Sequence, residues 1–356
     1  MEEEQKIDIL LLAESAKQRG LPMTRVCSLM MISRRRVVRW QRRWKEGGCL
    51  KNLIPGPKHP LHTLLPMERT AVLEMAKSEE YEDLSHRILT VTGWDLGLFF
   101  VSFSSVYRIM RSVGLMVMRG NRRPHNGHSL PPIRKELTGP NQRWCWDISY
   151  LRTHQKGFFL YLYLLLDEYS RKVVEWIVSW HQTKEEARQL LEGGLIAENI
   201  LDLPEDQRPE IINDRGRQMR ARSIRKMFED HRMPQMFARP RTPNDNPFVE
   251  SLFGTVKTAP QYPGRFLDRK EAVKYFNQYF QWYNTEHLHS GIDYVTPEQC
   301  HQGLRDSIVA DRKQKLNNQR NLRKEANRFQ KSILTKNSMN SIINPDPIPF
   351  CSVMNL

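Results

Sequence analysis

The apolar run at residues 157–166 restricts the fold of this chain more than any other segment. It consists of glycine, aromatic residues and leucines, and it ends at Asp167 and Glu168. A helix that crosses a bilayer needs about 20 apolar residues, so this run is too short to span a membrane. A strand that is apolar on both faces is typical of a sheet covered by helices on both sides. The run therefore predicts a buried central strand in an α/β core.

Three acidic residues stand in sequence contexts that suit one shared site. Asp147 lies in a run rich in β-forming residues, and Asp214 directly follows the apolar segment 210–213. Glu250 belongs instead to a predicted helix that begins at Asn246-Pro247, because Asn can cap the first turn and Pro fits the first helical position. Two strands and one helix are thus predicted to carry the acids.

The helix around Glu250 has an apolar stripe and a polar edge when its residues are placed at 100° per position. The stripe consists of Val249, Leu252, Phe253 and Val256, and the edge of Glu250, Gly254 and Lys257. This pattern predicts that the helix buries the stripe against a sheet and presents Glu250 together with Lys257.

The three acids can meet at one point if the two strands are neighbours and the helix packs across them. Clustered carboxylates need cations, and Mg²⁺ prefers oxygen ligands from carboxylates and phosphates. Two such ions, about 3.5–4 Å apart, would hold the attacking and leaving oxygens of a phosphodiester displacement. We therefore expect two Mg²⁺ (or Mn²⁺) ions, with Asp147 bridging them and Asp214 and Glu250 completing the catalytic, metal-binding set.

Residues 139–303 resemble the retroviral-integrase-like DDE transposases of bacterial insertion sequences. The resemblance is carried by the segments 144–149, 213–216 and 243–251 and by motifs within 283–298. In that family three acids bind the metals and a basic residue seven positions after the glutamate contacts DNA. The resemblance implies these roles for Asp147, Asp214, Glu250 and Lys257.

The same resemblance implies a ribonuclease-H-like catalytic core at residues 143–303, an α/β fold with a mixed five-stranded sheet and flanking helices. Strands are expected at 143–151, 157–167, 171–180, 209–213 and 234–238, the first three as an antiparallel meander. Helices are expected at 183–198, 220–231, 246–257 and 268–285. All-α helix-turn-helix domains should precede this core.

The charge of the chain predicts a nucleic-acid partner. There are 55 Lys and Arg against 40 Asp and Glu, a formal net charge of +15, and an excess of this size attracts polyanions. Residues 1–48 are predicted to form a helix-turn-helix domain whose third helix, from Ser33 to about Lys45, docks through Val37, Trp40 and Trp44. Arginines on this helix are expected to contact DNA: Arg34, Arg35, Arg36, Arg39, Arg42 and Arg43. The alternative is a solvated, charged helix.

Two Pro-rich segments divide the rest of the N-terminal half. Residues 49–66 are a predicted linker, and residues 67–116 a second helix-turn-helix-like domain from which Arg108 and Arg111 are expected to reach DNA. Residues 117–142 form a basic Pro-rich linker that either follows a DNA backbone or only joins two domains. Its arginines include Arg119, Arg122 and Arg123.

The segment after the core, 304–356, is predicted to be a basic helix followed by a disordered tail. Between residues 305 and 336 there are 10 Lys and Arg and 3 acids, a net charge of +7. Three interpretations stay open for it: contact with DNA, contact with a second subunit, or a solvated tail.

The function expected is that of a DNA transposase or integrase. It would bind element ends in double-stranded DNA, cleave them to a 3′-OH and join that hydroxyl to target DNA by two-metal transesterification. Because two ends are joined together, a homodimer or a higher synaptic oligomer is expected, in the bacterial cytoplasm at the nucleoid, with no membrane partner. The alternatives are a catalytically silent DNA-binding regulator derived from a transposase and a ribonuclease-H-type nuclease.

Overall fold

The computed structural model describes residues 2–52, 60–116, 136–213, 222–237 and 247–343. The chain divides into two compact units, Met1–Leu61 and His62–Leu356. Within the described ranges, no helix combines the length and the apolar composition that a membrane span requires.

The first unit consists of three helices, α1 (Glu3–Gln18), α2 (Met23–Leu29) and α3 (Arg34–Lys45). Lys6 of α1 is only 2% exposed, and its ammonium donates hydrogen bonds of 2.7 Å to the carbonyl of Leu50 and to Asn52 Oδ1. A buried ammonium needs such partners. The bonds fasten the segment that follows α3 to α1.

The buried stripe of α3 is shorter than the sequence predicted. Val37 and Trp40 are buried, but Trp44 is 39% exposed, so its predicted place in the core was wrong. The chain turns back at Gly47, which has a φ of +70°, and Leu50 completes the core instead. Glycine suits this position because a positive φ is unfavourable for other residues.

The second unit begins with the helices α4 (Pro66–Lys77), α5 (His86–Asp95) and α6 (Phe103–Ser112). The connection between α5 and α6 is itself packed. A Cβ atom on Gly93 would lie 2.4 Å from the ring of Phe99, and Trp94 Nε1 donates a 2.9 Å hydrogen bond to the carbonyl of Val101. These three helices share one core, formed mainly by Val72, Leu89, Phe99, Val106 and Ile109.

A five-stranded mixed sheet follows, with the order β3-β2-β1-β4-β5. Its strands are β1 (Arg143–Arg152), β2 (Phe159–Asp167), β3 (Val173–Ser179), β4 (Glu210–Asn213) and β5 (Gln235–Phe237). β1 to β3 form the predicted antiparallel meander, β4 runs parallel to β1, and β5 runs parallel to β4. Residues 162–166 are at most 1% exposed, which confirms the buried central strand.

Helices cover both faces of the sheet, as predicted. One face packs on α7 (Lys184–Ala197) and α8 (Arg222–Asp230), and the other packs on α9 (Pro247–Thr258) and α10 (Arg269–Thr285). Successive residues of a strand point to opposite faces, so β1 sends Trp144 and Trp146 towards α7 and Cys145 and Leu151 towards α9.

The short helix α11 (Pro297–His301) leads into the 39-residue helix α12 (Arg305–Ile343). Arg312 forms an ion pair of 2.6 Å with Asp95, and Arg323 forms one of 2.7 Å with Glu68. Both arginines are buried, so this part of the segment is not the solvated tail that was one interpretation of its composition. The disordered tail was predicted within 304–356 without a starting residue, and residues 344–356 lie outside the described residues.

Candidate active site

Asp147 lies near the middle of β1, on the face that α9 covers. Cys145 and Leu151 point into the core beneath α9, and strand alternation places Asp147 and Ser149 on that same face. Asp147 is half-buried, and its Oδ1 accepts a 2.7 Å hydrogen bond from the amide of Ile148. The carboxylate therefore stands at an accessible edge of the core.

The neighbouring parallel strand β4 ends one residue before Asp214. Its last registered pairs set Trp144 beside Ile211 and Cys145 beside Ile212. Asp147 follows Cys145 by two positions, and Asp214 follows Ile212 by the same number. Asp214 itself lies outside the described residues, so its place in the site stays a prediction.

Glu250 stands in the first turn of α9, as predicted. The stripe of Val249, Leu252, Phe253 and Val256 is buried against the sheet, and Glu250 is exposed beside it. Partial burial raises the pKa of Glu250. Within the described ranges no side chain forms an ion pair or a hydrogen bond with its carboxylate. A cation would stabilise the charged form of such a group.

Lys257 lies two turns further along α9 and reaches back to β1. Its Nζ donates a 2.6 Å hydrogen bond to the hydroxyl of Ser149, which is 7% exposed. Burial and the charge of Arg152 lower the pKa of Lys257, and the attraction of Asp147 opposes this shift. Lys257 is thus within electrostatic reach of Asp147. Strand alternation from Asp147 would have pointed to Ser149, which the sequence analysis missed.

The carboxylates fit hard divalent cations, which prefer oxygen ligands. In the part of the chain that the structure describes, no group of three or more His, Cys, Asp and Glu residues is arranged so that it could hold a metal ion. Asp147 and Glu250 supply two acids on one side of the sheet, and the third predicted acid is Asp214.

Sequence comparisons agree with this architecture. Two families, both described as Integrase core domain, match residues 138–243 and 231–297, and a Helix-turn-helix domain family matches residues 5–59. A transposase for insertion sequence element IS904 of Lactococcus lactis is 28% identical over 46% of this chain and 62% of its own length. The transposase InsF for insertion sequence IS3A of Escherichia coli is 29% identical over 49% of this chain and 61% of its own.

The chain is similar to transposases of insertion sequences, and its residues 138–297 match the two integrase core families. It spans about 60% of the two relatives named above. The InsK protein of insertion sequence element IS150 of Escherichia coli is 22% identical over 63% of this chain and 84% of its own length. A simian T-cell lymphotropic virus intasome contains a chain that matches 64% of this one, with 19% identity and a TM-score of 0.37.

The arginines predicted to bind DNA are mostly exposed. Arg34, Arg35, Arg36, Arg39 and Arg42 are exposed on α3, and Arg108 and Arg111 are exposed on α6. Arg43 is half-buried and donates to the carbonyls of Cys49 and Lys51, so it helps to hold the end of its own domain. Arg119, Arg122 and Arg123 lie outside the described residues. DNA contact by any of these residues stays a prediction.

A buried polar network, which the sequence analysis also missed, ties α11 to the sheet and to α7. Asp167 is fully buried and accepts hydrogen bonds from the amide and the hydroxyl of Ser170. Ser170 Oγ lies 3.0 Å from His301 Nδ1, and His301 Nε2 lies 2.8 Å from Glu198 Oε2. Ser170 is fully buried, so this serine and histidine hold the fold together and have no access to a substrate.

Proposed function

We propose that this chain is a DNA transposase that cleaves the ends of its element and joins them to target DNA. The observation that carries the proposal is the placement of Asp147 and Glu250 on one face of the sheet. Lys257 lies two turns further along α9, where its ammonium donates to Ser149 and interacts electrostatically with Asp147. We propose that Asp214 supplies the third carboxylate. The names of its relatives support the same activity.

We propose that the three carboxylates hold two Mg²⁺ or Mn²⁺ ions. When bound, the ions would neutralise phosphate charge and stabilise the attacking and leaving oxygens of the displacement. The protein's own part is to fix the carboxylates, because β1 sets the position of Asp147 and the buried stripe of α9 sets that of Glu250. Lys257 would bind a phosphate of the DNA, and its bond to Ser149 restricts where its ammonium can lie.

The reaction consists of two displacements at phosphorus. In the first, a water oxygen attacks the phosphate at the element end, and the P–O3′ bond breaks to leave a 3′-OH. In the second, that hydroxyl attacks a target phosphate, and the target's own 3′ oxygen leaves with a proton. Neither step needs a covalent intermediate with the protein.

The partners that follow from this proposal are the terminal repeats of the element, target DNA and a second copy of this chain. Two ends must be joined together, which favours a dimer or a larger complex. The reaction would take place in the bacterial cytoplasm, where the DNA is.

A strand-transfer assay tests the proposal. The purified chain is incubated with labelled element-end DNA and a supercoiled target, in Mg²⁺ or in EDTA. We expect metal-dependent joined product with the wild type and losses of about 100-fold or more for Asp147→Asn, Asp214→Asn and Glu250→Gln, because each removes a charge that positions the reacting oxygens. Glu286→Gln, at an exposed acid that follows α10, is the control and should keep activity.

Two other outcomes would replace the proposal. Tight binding of element ends without cleavage in any divalent metal would identify a silent regulator. Cleavage of RNA–DNA hybrids without strand joining would identify a ribonuclease-H-type nuclease.

A further inference from the structure

A cavity of about 790 Å³ opens next to the proposed active site, within the second unit. One wall is the start of α5 at residues 85–88, and a second wall is the exposed side of α9 with Ser251 and Thr255. The loop after α10, at residues 287–291, forms a third wall, and Arg171 and Tyr283 also line the space. Ser251 directly follows Glu250, so the cavity and the proposed active site share α9.

Arg171 is the unusual group in this cavity. Its guanidinium lies 3.4 Å from the centre of the Phe248 ring. Its Nη1 is buried and, among the described residues, has no hydrogen-bond partner. Burial lowers the pKa of Arg171, because a cation loses hydration there. A buried donor without an acceptor is unfavourable, and an anionic ligand would correct this.

The backbone at Arg171 is unfavourable as well. Its φ is +65°, which lies in the left-handed region that residues other than glycine rarely adopt. Such conformations persist where the surrounding structure holds them, and they are concentrated at functional sites. Here the strained turn between β2 and β3 carries the guanidinium that lines the cavity.

The side chains that line the cavity are basic or neutral, although the carboxylates of Glu168 and Asp167, which do not line it, act on Arg171. Arg87 lies at its exposed rim and donates a 3.3 Å hydrogen bond to the hydroxyl of Tyr294. Within the described ranges the lining residues include these two arginines and no Asp or Glu. Burial lowers the pKa of His287 and of His289 to about 4, so both are neutral at pH 7 and serve as hydrogen-bonding groups.

Two guanidinium groups, serine and threonine hydroxyls and neutral imidazoles match a phosphate, whose oxygens accept several hydrogen bonds at once. We propose that this cavity binds a phosphodiester group of the DNA strand that passes Glu250, with Arg171 and Arg87 as its ligands. The inference rests on the proposed function, since it takes DNA as the substrate. The cavity would be a positioning site that fixes the DNA strand relative to the three acids.

The test is equilibrium binding of the full chain to element-end duplex, measured by fluorescence anisotropy over a series of salt concentrations. The variants are Arg171→Gln, Arg87→Gln and Thr255→Glu, the last of which places a negative charge on the exposed wall. The charge-matched control is Arg188→Gln on α7. It removes one exposed, ion-paired arginine that does not line the cavity. Circular dichroism of each variant establishes that it is folded.

We expect Arg171→Gln and Arg87→Gln to weaken binding by roughly tenfold, the usual effect of losing a hydrogen bond to a charged group. Thr255→Glu should weaken binding by a similar factor, because its carboxylate repels a phosphate. The slope of log K against log salt should become shallower by about 0.9 for Arg171→Gln and Arg87→Gln, the change for one lost phosphate contact. Arg188→Gln should change neither quantity by a comparable amount. Because Arg87 and Thr255 are exposed, their variants keep the test decisive if Arg171→Gln does not fold.

Unchanged affinity and slope in the folded cavity variants would overturn the inference. So would stabilisation of the wild type by inorganic phosphate, lost in Arg87→Gln, with DNA binding unaltered, because the site would then serve free phosphate. Strand joining by the wild type is scored separately. Wild-type binding without joining would contradict the proposed function and leave the phosphate site intact, whereas no DNA binding at all would remove both.

Discussion

Glu198 shows how one side chain can hold distant parts of the integrase core together. It follows α7, accepts hydrogen bonds from His301 of α11 and from Asn141 before β1, and pairs with Lys172 at 3.1 Å. Burial alone would raise the pKa of Glu198, but the bonds from His301 and Asn141 and the charge of Lys172 outweigh it and lower the pKa to about 2. The network therefore favours the charged carboxylate.

This pKa predicts how stability depends on pH. The folded value, about 2, lies below the ordinary value of 4.5, so the unfolded chain binds the proton first as pH falls. The stabilisation is complete above pH 4.5 and is lost as pH falls towards 2. We expect Glu198→Gln to lower the free energy of unfolding at pH 7 by about 3 kcal/mol and to flatten its decrease below pH 4.5.

Urea unfolding at a series of pH values measures both effects. Glu192→Gln, in the exposed pair with Arg188 on the same helix, is the control, and it should cost less than about 1 kcal/mol. Parallel pH profiles for the wild type and Glu198→Gln would show that the network does not determine acid stability.

The positions of single residues could be predicted from the sequence only where the regular repeat of a helix or strand assigns each residue to a face. Helical spacing put Glu250 and Lys257 on one edge of α9, and the structure confirms this exposure. Arg171 and Glu198 were not found, because their roles depend on partners from distant segments. Strand alternation from Asp147 could have placed Ser149 on the same face, but not its bond to Lys257. Ser149 is 108 residues from Lys257, and Glu198 is 103 residues from His301.

At the scale of elements, α7 approaches the sheet closely at a glycine. A Cβ atom on Gly194 would lie 2.4 Å from Leu165 Cδ2 and 3.4 Å from the ring of Trp144. Its neighbour Gly193 differs, because a Cβ there would meet Glu175 Oε2 at 3.0 Å, the movable end of a flexible side chain. The two adjacent glycines thus separate the effect of packing from that of helix propensity.

We expect Gly194→Ala to destabilise the protein by about 1–3 kcal/mol, because the methyl group forces α7 away from β2. Gly193→Ala should be neutral or stabilise by up to about 1 kcal/mol, since alanine favours helix more than glycine does. Urea unfolding at neutral pH compares the two. Equal effects of both substitutions would mean that α7 does not pack tightly at Gly194.

Elements of the core were predictable because strands and helices carry their own patterns. The five strands and the helices α7 to α10 begin and end within two residues of their predicted bounds. The packing of α12 was not predictable, because its charged residues resemble those of a solvated helix. Its buried arginines pair with Asp95 and Glu68, which lie 217 and 255 residues away.

For the whole molecule, the net charge of +15 is spread over surfaces with different proposed tasks. The exposed arginines of α3 belong to a helix-turn-helix domain, a motif whose recognition helix reads base edges in the major groove. The exposed side of α12 carries Lys313, Lys315, Arg320 and Arg328, which have no such motif around them. Phosphate contacts strengthen binding to any DNA, whereas base contacts distinguish one sequence from another.

Two variants with the same loss of charge test whether α3 reads sequence and α12 only contacts phosphates. One replaces Arg34, Arg35, Arg36 and Arg39 of α3 by Gln, and the other replaces the four basic residues of α12 named above. We expect the α3 variant to lose its preference for element-end duplex over unrelated duplex, by about 1–3 kcal/mol for each base contact removed. The α12 variant should bind both duplexes more weakly but keep their ratio. Competition binding at one salt concentration measures the ratio of the affinities for the two duplexes. Strand joining at saturating DNA should persist in the α3 variant, because α3 is not part of the acidic site. An equal change of the ratio in both variants would show that only total charge matters and that α3 does not read sequence.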